Sequence, residues 1–257
     1  MIRKRISIVL ETVVAVCAVA GVALTAEMGS QCFLYFTIQS NLWIAATLAA
    51  FAVWQIVKMF KPSAKDIPEA MWRLKFVFTV SITLTGGVFC AVLAPTTPGA
   101  FGNAASVLTH VVVPVFAIAD LFVAKHDAPD FGITVWALVP LIYYLAFATI
   151  GFVLNWDFGN GRNYPYFFLN WTSPAGVFGF GGGGEYFMGT FWWILVMIAL
   201  VSGIALAYAA ILKRVRGGAA GKAATETEVV VGDAANDAET QEENASEDGS
   251  NADKDRQ

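Results

Sequence analysis

Six long apolar stretches, separated by short polar ones, occupy residues 1–216 of the chain. Each is at least about 20 residues long, the length that an α-helix needs to cross the hydrocarbon core of a bilayer. The predicted spans are residues 6–26, 33–57, 73–94, 104–124, 132–154 and 188–212. The pattern therefore predicts an all-α polytopic membrane protein, built as a bundle of six transmembrane helices.

The remaining residues have a different composition. The whole chain of 257 residues is 57% hydrophobic and 14% charged, whereas soluble domains average about 25% charged residues. Residues 217–257 contain 11 acidic residues, 3 basic residues and no aromatic residue. Such a segment cannot bury enough apolar surface to offset its ordering entropy. We therefore expect a six-helix transmembrane domain at 1–216 and a disordered acidic tail at 217–257.

Basic residues concentrate on alternate connections between the spans. The basic residues in or around these connections are Arg3, Lys4, Arg5, Lys58, Lys61, Lys65, Arg73, Lys75, Lys125, Lys213, Arg214 and Arg216. The other three connections hold a single basic residue, Arg162. By the positive-inside rule, both termini of this multi-pass protein are expected on the cytoplasmic side of the cell membrane. The first stretch is also typical of a signal peptide, although Glu11 within it favours a retained helix.

Polar side chains at the outer end of the second span are unexpected in an apolar run. Thr37, Ser40 and Asn41 share the i, i+3, i+4 spacing, so they form one stripe on a helix. At about 1.5 Å per residue, Thr37 lies about 6 Å into the second span and His110 about 9 Å into the fourth. We therefore expect both side chains at the same depth in the outer half of the bilayer.

Two carboxylates lie inside other spans. Glu11 and Asp120 lie nearer to the cytoplasmic ends of their spans, so they are expected in the inner half of the bilayer, away from Thr37. Buried ionisable groups are costly in a bilayer and mark candidate functional sites. Glu11 is equally compatible with pairing to a polar group on a neighbouring helix.

The outer polar groups allow two interpretations. In the first, they are structural, because hydroxyl, amide and imidazole groups commonly bond between membrane helices and contribute about 0.6–2 kcal/mol each. In the second, Thr37 is a nucleophile and His110 its general base, since a hydroxyl needs a base within hydrogen-bond reach. Ser40 or Asn41 would then donate to a developing oxyanion. Pro114 frees the carbonyl of residue 110 and favours a kink beside the imidazole.

Three segments resemble the androgen-induced and androgen-dependent (ADTRP-like) family of multipass membrane threonine hydrolases, in a bacterial-type six-helix form. They are "YFTIQSN" (Tyr35–Asn41), "LTHVVVPVFAIADLF" (Leu108–Phe122) and "NYPYFFLNW" (Asn163–Trp171). The resemblance implies that Thr37 and His110 take the positions of the family's membrane-embedded threonine and histidine. Those residues are implicated in cleaving fatty acid esters of hydroxy fatty acids.

We therefore expect an integral membrane hydrolase of lipid (fatty acid) esters, with membrane lipids and a lipid ester substrate as partners. The alternative is a small transporter or a non-enzymatic membrane interaction protein, in which Glu11 and Asp120 could relay protons. The aromatic and glycine-rich connection before the sixth span is expected to lie on the membrane and act as a lid. No metal, haem or nucleotide motif occurs, so no cofactor is expected, and nothing suggests nucleic-acid binding. The acyl substrate, the oligomeric state and the group that orients His110 are left open.

Overall fold

The structure is a computed structural model that describes residues 2–27, 29–124, 126 and 128–216. The expected acidic tail at 217–257 and the basic residue Lys125 lie outside the described residues. The chain divides into two compact units, Met1–Ala210 and Ile211–Gln257. Of the second unit, the described part at 211–216 is helical.

Six helices in the described part are long and apolar enough to cross a membrane. They are α1 (Ile2–Ala26), α2 (Phe36–Phe60), α3 (Glu69–Thr96), α4 (Ala104–Val123), α5 (Ile133–Val153) and α6 (Thr190–Arg216). Short 3-10 helices lie in the connections at Ser30–Leu34, Phe167–Leu169 and Gly184–Tyr186. No β-strand occurs among the described residues, where Phe180 and Met188 form only an isolated bridge. The all-α architecture with six membrane-spanning helices is therefore confirmed, and the predicted span ends are correct to within about one turn.

Two of the helices contain a widened turn. α3 and α4 each have one π-helical turn, at Phe89–Leu93 and Leu108–Val112. Pro114 accounts for the second, because it cannot donate to the carbonyl of residue 110 and its ring pushes that carbonyl aside. Single π-helical turns inside α-helices are frequent at functional sites. The regular α-helical parts are Glu69–Val88 in α3, Ala104–Val107 and Val113–Val123 in α4, and Ile133–Ala137 and Val139–Val153 in α5.

The first four helices form the packed centre of the bundle. α1 packs mainly against α2 and α4, and α3 packs against α2, α4 and the start of α5. Their shared core is an apolar layer halfway along the helices, called here the central apolar layer. It consists of Val14, Ala18, Ile44, Ala45, Leu48, Ile82, Val113 and Ala117. Because lipid is as apolar as these side chains, close van der Waals packing between them, more than the hydrophobic effect, stabilises the helix contacts.

The central apolar layer separates two polar ends of the bundle. We call the end where α1 meets α2 the outer end and the end where α1 begins the inner end, following the predicted orientation. Thr37 and His110 lie on the outer side of the layer along α2 and α4. Glu11 and Asp120 lie on its inner side along α1 and α4. The two groups of polar residues therefore belong to different sites.

The connection from α5 to α6, residues 154–189, folds back over the outer end. The Tyr35 hydroxyl donates to the Phe158 carbonyl at 2.6 Å and so fixes this connection to the start of α2. The glycine run within it is a hydrogen-bonded turn, in which Gly181 N donates to Phe187 O at 2.9 Å and Gly189 N to Gly179 O at 2.9 Å. A Cβ atom on Gly182 would lie 2.4 Å from Tyr186 O. This glycine therefore allows close approach of two backbone segments.

Candidate active site

Thr37 and His110 meet at the outer end of the bundle. The Thr37 hydroxyl oxygen, Oγ1, lies 3.4 Å from His110 Nε2. Both residues are partly buried. The structure thus brings together the two residues that the sequence places at a common depth, although they are 73 positions apart in the chain.

The other imidazole nitrogen fixes which tautomer faces Thr37. His110 Nδ1 lies 3.0 Å from the Ser106 carbonyl oxygen and 3.1 Å from Thr109 Oγ1. A carbonyl oxygen can only accept, so Nδ1 carries the hydrogen and donates it. Nε2 is then unprotonated in the neutral ring and can accept from Thr37. The Ser106 carbonyl is therefore the orienting group for His110 that the sequence left open.

The imidazole is also held by its neighbours on α3. Its ring stacks on Phe89 with centroids 3.7 Å apart and planes inclined by 16°. A Cβ atom on Gly86 would lie 2.8 Å from the His110 carbonyl oxygen and 3.0 Å from Pro114 Cγ. Since no side chain larger than hydrogen fits there, Gly86 lets α3 approach the widened turn of α4. The two π-helical turns therefore meet at this contact between Phe89 and His110.

The position of Thr37 in its own helix adds an electrostatic contribution. Thr37 is the second residue of α2, a helix of 25 residues. The first backbone N–H groups of a helix have no partner within it, and the helix dipole places partial positive charge at this end. Negative charge that develops on or beside the Thr37 oxygen is therefore stabilised by α2.

Tyr166 from the outer connection completes the group around Thr37. Its hydroxyl lies 3.5 Å from Thr37 Oγ1 and accepts from the Thr37 backbone N–H at 3.4 Å. Its ring stacks on Phe168 with centroids 5.0 Å apart. Burial raises the pKa of the Tyr166 hydroxyl to about 12, so it stays protonated and can donate. Sequence reasoning did not single out this residue, because only the fold of the outer connection brings it to α2.

Two spaces of different character adjoin Thr37. The larger, called here the outer cavity, has a volume of about 550 Å³ and is lined by Thr37, His110, Tyr166 and polar residues of the outer connections. The smaller, called here the apolar cleft, is lined mainly by aliphatic side chains such as Leu84, Val88, Leu141, Leu145 and Met197. Thr37, Phe89, Leu93 and Tyr166 line both spaces. Thr37 therefore lies at the boundary between a polar and an apolar compartment.

Ser40 and Asn41 lie beneath Thr37 and not in the outer cavity. Asn41 Nδ2 donates to the carbonyls of Thr37 at 2.8 Å and Thr109 at 3.2 Å. Ser40 Oγ donates to the Thr37 carbonyl at 3.1 Å and lies 2.8 Å from Thr85 Oγ1. Both side chains are fully buried and neither lines the outer cavity. The geometry therefore gives no support to an oxyanion role for them; they anchor the first turn of α2 to α3 and α4.

Glu11 and Asp120 form a separate ionic cluster at the inner end. Lys75 Nζ lies 2.9 Å from Glu11 Oε1 and 2.6 Å from Asp120 Oδ2. Ser7 Oγ donates to Asp120 Oδ1 at 2.6 Å. Gln55 Nε2 lies 2.8 Å from both Glu11 carboxylate oxygens. We call these five residues, which come from α1 to α4, the inner ionic cluster.

Lys75 differs from its expected position. The sequence grouped it with the exposed basic residues of the cytoplasmic connections, but its side chain is 0% exposed. Lys75 is the third residue of the predicted span 73–94, and α3 begins still earlier, at Glu69, so Lys75 lies more than one turn inside the helix. Its ammonium also lies 4.5 Å from the centre of the Phe51 ring. The position of Lys75 in the sequence did not indicate its burial, because a lysine near a predicted helix end is usually solvated. The sequence feature that pointed to a buried cation was the pair of carboxylates, Glu11 and Asp120, at a matching depth in other spans.

Metal-ligating side chains are sparse in the described part of the chain. Within it, no group of three or more His, Cys, Asp or Glu side chains is placed to hold a metal ion. Cys17, Cys32 and Cys90 are free thiols. The residues around Thr37 offer hydroxyl groups, one imidazole and aromatic rings, a set that suits acid–base and nucleophilic chemistry.

Comparison with protein families and known proteins adds no assignment. No family model, no curated protein and no solved structure matches the chain. The functional interpretation therefore depends on the local geometry of the sites. What is established is the class: a multi-pass membrane protein, whose described residues include six helices long and apolar enough to cross a membrane.

Proposed function

We propose that this chain is an integral membrane hydrolase of lipid (fatty acid) esters, with Thr37 as nucleophile and His110 as general base. The contact of 3.4 Å between Thr37 Oγ1 and His110 Nε2 carries the proposal. It is at the long end of hydrogen-bond distances, as is common for catalytic pairs before substrate binds. The tautomer set by the Ser106 carbonyl leaves Nε2 free to take the hydroxyl proton.

The first half of the reaction forms an acyl-enzyme. His110 Nε2 takes the Thr37 proton while Oγ1 attacks the ester carbonyl carbon, which gives a tetrahedral intermediate with a negative oxygen. The bond from that carbon to the leaving alcohol oxygen then breaks, and the imidazolium returns its proton to the leaving alkoxide. The products of this half are an acyl ester on Thr37 and a free alcohol.

The negative oxygen of the intermediate needs hydrogen-bond donors. The Tyr166 hydroxyl is suitably placed beside Thr37 and stays protonated because of its raised pKa. The Thr37 backbone N–H donates to this same hydroxyl at 3.4 Å and so holds it at the start of α2, where the helix dipole favours negative charge. Donors that are aligned before the reaction typically contribute about 10²–10³-fold to the rate.

The second half of the reaction releases the fatty acid. A water molecule from the outer cavity loses its proton to His110 Nε2 and attacks the acyl carbon. The carbon–Oγ1 bond then breaks, and Thr37 recovers a proton from the imidazolium. The outer cavity supplies water, whereas the apolar cleft on the other side of Thr37, with a volume of about 50 Å³, suits the first carbons of the acyl chain. A lipid ester can therefore react while its chain remains in an apolar environment.

Labelling with a fluorophosphonate probe tests the proposal. Purified wild-type protein in detergent is expected to be labelled, while Thr37→Val, which keeps the side-chain shape, and His110→Ala are expected to lose labelling. Thr37→Ser keeps the hydroxyl and should retain a measurable fraction. Generic acyl ester hydrolysis by the same samples should follow the same order.

Thr149→Ala is the matched control for these variants. The Thr149 hydroxyl lies in another span and donates only to the carbonyl of Leu145 in its own helix at 2.7 Å. This variant should be labelled like wild type. Normal labelling and hydrolysis by correctly folded Thr37→Val would refute the assignment of Thr37.

The inner ionic cluster is the observation that favours the competing class, a transporter. A cavity of about 460 Å³ at the inner end reaches Ser7 and Gln55 of this cluster. However, the packed central apolar layer lies between the cluster and the outer cavity along each of α1 to α4, and transporters usually bind substrate at broken helices that allow alternating access. Substrate flux in liposomes without ester hydrolysis would establish the transporter instead.

We further propose that the protein lies in the cell membrane with both termini in the cytoplasm. Lys58 and the other basic residues of the connection between α2 and α3 support this orientation, as do Arg3, Lys4 and Arg5, because short basic connections are retained on the cytoplasmic side. Reporter enzymes fused after Lys61 and after Gly99 should be active on opposite sides of the membrane. An external reporter after Lys61 would reverse the assignment and place Thr37 in the cytoplasmic half.

A further inference from the structure

The outer cavity differs in the charge of its lining residues from the cavity of about 460 Å³ at the inner end, called here the inner cavity. The residues that line the outer cavity in the described part of the chain include no Asp, Glu, Lys or Arg. The inner cavity, by contrast, is lined by Lys4, Lys58 and Asp66. The chain therefore places formal charges around one cavity and leaves them out of the other.

The polar groups of the outer cavity are neutral donors and acceptors. They are amides on Gln31, Asn103 and Asn160 and hydroxyls on Thr25, Tyr35, Ser106 and Thr109. Asn103 Oδ1 is occupied by the Ser106 backbone N–H at 2.7 Å, which leaves its Nδ2 group as a donor. Such a lining can both donate to and accept from hydroxyl groups, and each bond formed typically contributes about 0.5–1.5 kcal/mol.

Two charged residues beside the cavity, Asp157 and Arg162, are engaged by groups of the protein itself. Asp157 Oδ1 accepts from the backbone N–H groups of Gly159 at 2.7 Å and Gly161 at 3.1 Å. The Arg162 guanidinium interacts with the Tyr35 hydroxyl at the edge of the cavity and lies 6.0 Å from the centre of the Tyr164 ring. Proteins that bind phosphate or carboxylate groups usually present arginine or lysine directly to them. No such residue lines this cavity in the described part.

We infer that the outer cavity receives an uncharged, hydroxyl-rich alcohol, so that the preferred substrates are fatty acid esters of glycerol or a similar neutral polyol. The inference deepens the proposed function and depends on it, since it identifies which side of the ester lies in which compartment. With the ester carbon at Thr37, the first carbons of the acyl chain lie in the apolar cleft and the alcohol lies in the outer cavity. A phosphate or carboxylate on the alcohol would lose hydration there without gaining a counter-charge.

Three esters with the same acyl chain test this inference. They are the acyl glycerol, the acyl glycerol phosphate, and the ester of a hydroxy fatty acid, measured with purified protein in a non-ionic detergent. The acyl glycerol should have the highest kcat/KM, about tenfold or more above either anionic ester. Equal or higher kcat/KM for an anionic ester would overturn the inference while leaving the hydrolase proposal intact. Failure to cleave any of the three would refute both.

A charge variant with a size-matched control sharpens the test. Gln31 is exposed at the cavity and lies outside the Thr37 group, so its substitution should preserve the fold. Gln31→Lys should raise the relative kcat/KM for the acyl glycerol phosphate by about fivefold, the effect of one nearby positive charge. Gln31→Met, similar in length but neutral, should leave the preference against anionic esters unchanged. An unaltered preference in Gln31→Lys would show that the cavity does not hold the alcohol side.

Discussion

At the scale of single residues, the candidate site is defined by which atom carries which proton. Thr37 presents a hydroxyl to an imidazole nitrogen that has no hydrogen, because the other nitrogen donates to the Ser106 carbonyl. A structural hydrogen bond between helices would not require this tautomer or a space beside it. The adjoining cavity and cleft favour the catalytic interpretation over the structural one.

Tyr166→Phe tests the oxyanion donor. Loss of one hydroxyl should lower kcat by about 10²-fold with little change in KM, because the bond strengthens only when negative charge develops. Since the pKa of Tyr166 is raised to about 12, wild type should keep this donor at neutral pH and lose it only as the pH rises towards that value. The measurement is steady-state hydrolysis of an acyl ester at neutral pH.

Tyr164→Phe is the control for that substitution. Its hydroxyl lies 3.5 Å from the Tyr186 hydroxyl and does not contact Thr37. Its kcat should match wild type. A similar loss in both variants would indicate a general disturbance of the outer connection and remove Tyr166 from the mechanism.

At the scale of helices, the close approach of α3 and α4 positions His110. Gly86→Ala would place a Cβ atom 2.8 Å from the His110 carbonyl oxygen. We expect a loss of stability of about 1–3 kcal/mol, as for other overpacked sites, and a fall in hydrolysis of up to about 10²-fold because the imidazole is displaced. Thermal unfolding in detergent and ester hydrolysis are the measurements.

The adjacent glycine supplies the control for this helix contact. A Cβ atom on Gly87 would meet no atom within 4 Å. Gly87→Ala should therefore leave activity unchanged and be neutral or slightly stabilising, since alanine is favoured over glycine inside a helix by about 0.5–1 kcal/mol. Equal effects of the two substitutions would contradict the role assigned to Gly86.

The helices also indicate what the sequence could and could not predict. The six spans were predictable because apolar length and composition determine them. The common depth of Thr37 and His110 followed from counting residues along two spans from the same side. The π-helical turn at Phe89–Leu93 was missed, although Pro95 follows it by two residues, as Pro114 follows the turn on α4. Its partner on α4 was indicated by Pro114 only as a kink.

At the scale of the whole molecule, the inner ionic cluster joins four helices through buried charges. Lys75→Met should destabilise the protein by about 3–5 kcal/mol, because it leaves two carboxyl groups buried without their cation. Arg73→Met is the control: Arg73 pairs with Glu69 at 3.9 Å on the exposed side of the same helix, so its loss should cost at most about 1 kcal/mol. Thermal unfolding measures both.

A second variant separates charge from packing in this cluster. Replacing Glu11 with Gln and Asp120 with Asn in the Lys75→Met background removes the uncompensated carboxylates. This triple variant should be more stable than Lys75→Met alone. No recovery would mean that Lys75 contributes through its packing against Phe51 and not through its charge.

The features of the two sites that could not be predicted from the sequence are the contacts between residues far apart in the chain. Tyr166 reaches Thr37 only because the outer connection folds back and is fixed by Tyr35 and Phe158. Lys75 was grouped with the basic residues of a cytoplasmic connection, because a lysine near a helix end is normally taken as evidence of membrane orientation. Only the fold shows its carboxylate partners. In both cases the decisive neighbours are more than 40 positions away in the chain.

The central apolar layer also has an electrical consequence. A membrane voltage acts across the least polarisable part of the protein, and moving one charge through 100 mV corresponds to about 2.3 kcal/mol. In this bundle that part is the layer formed by Val14, Ile44, Val113 and their neighbours. In the proposed mechanism, the proton passes between Thr37 and His110 outside this layer and over a few ångströms. The protein should therefore hydrolyse substrate at the same rate in an energised membrane as in a depolarised one.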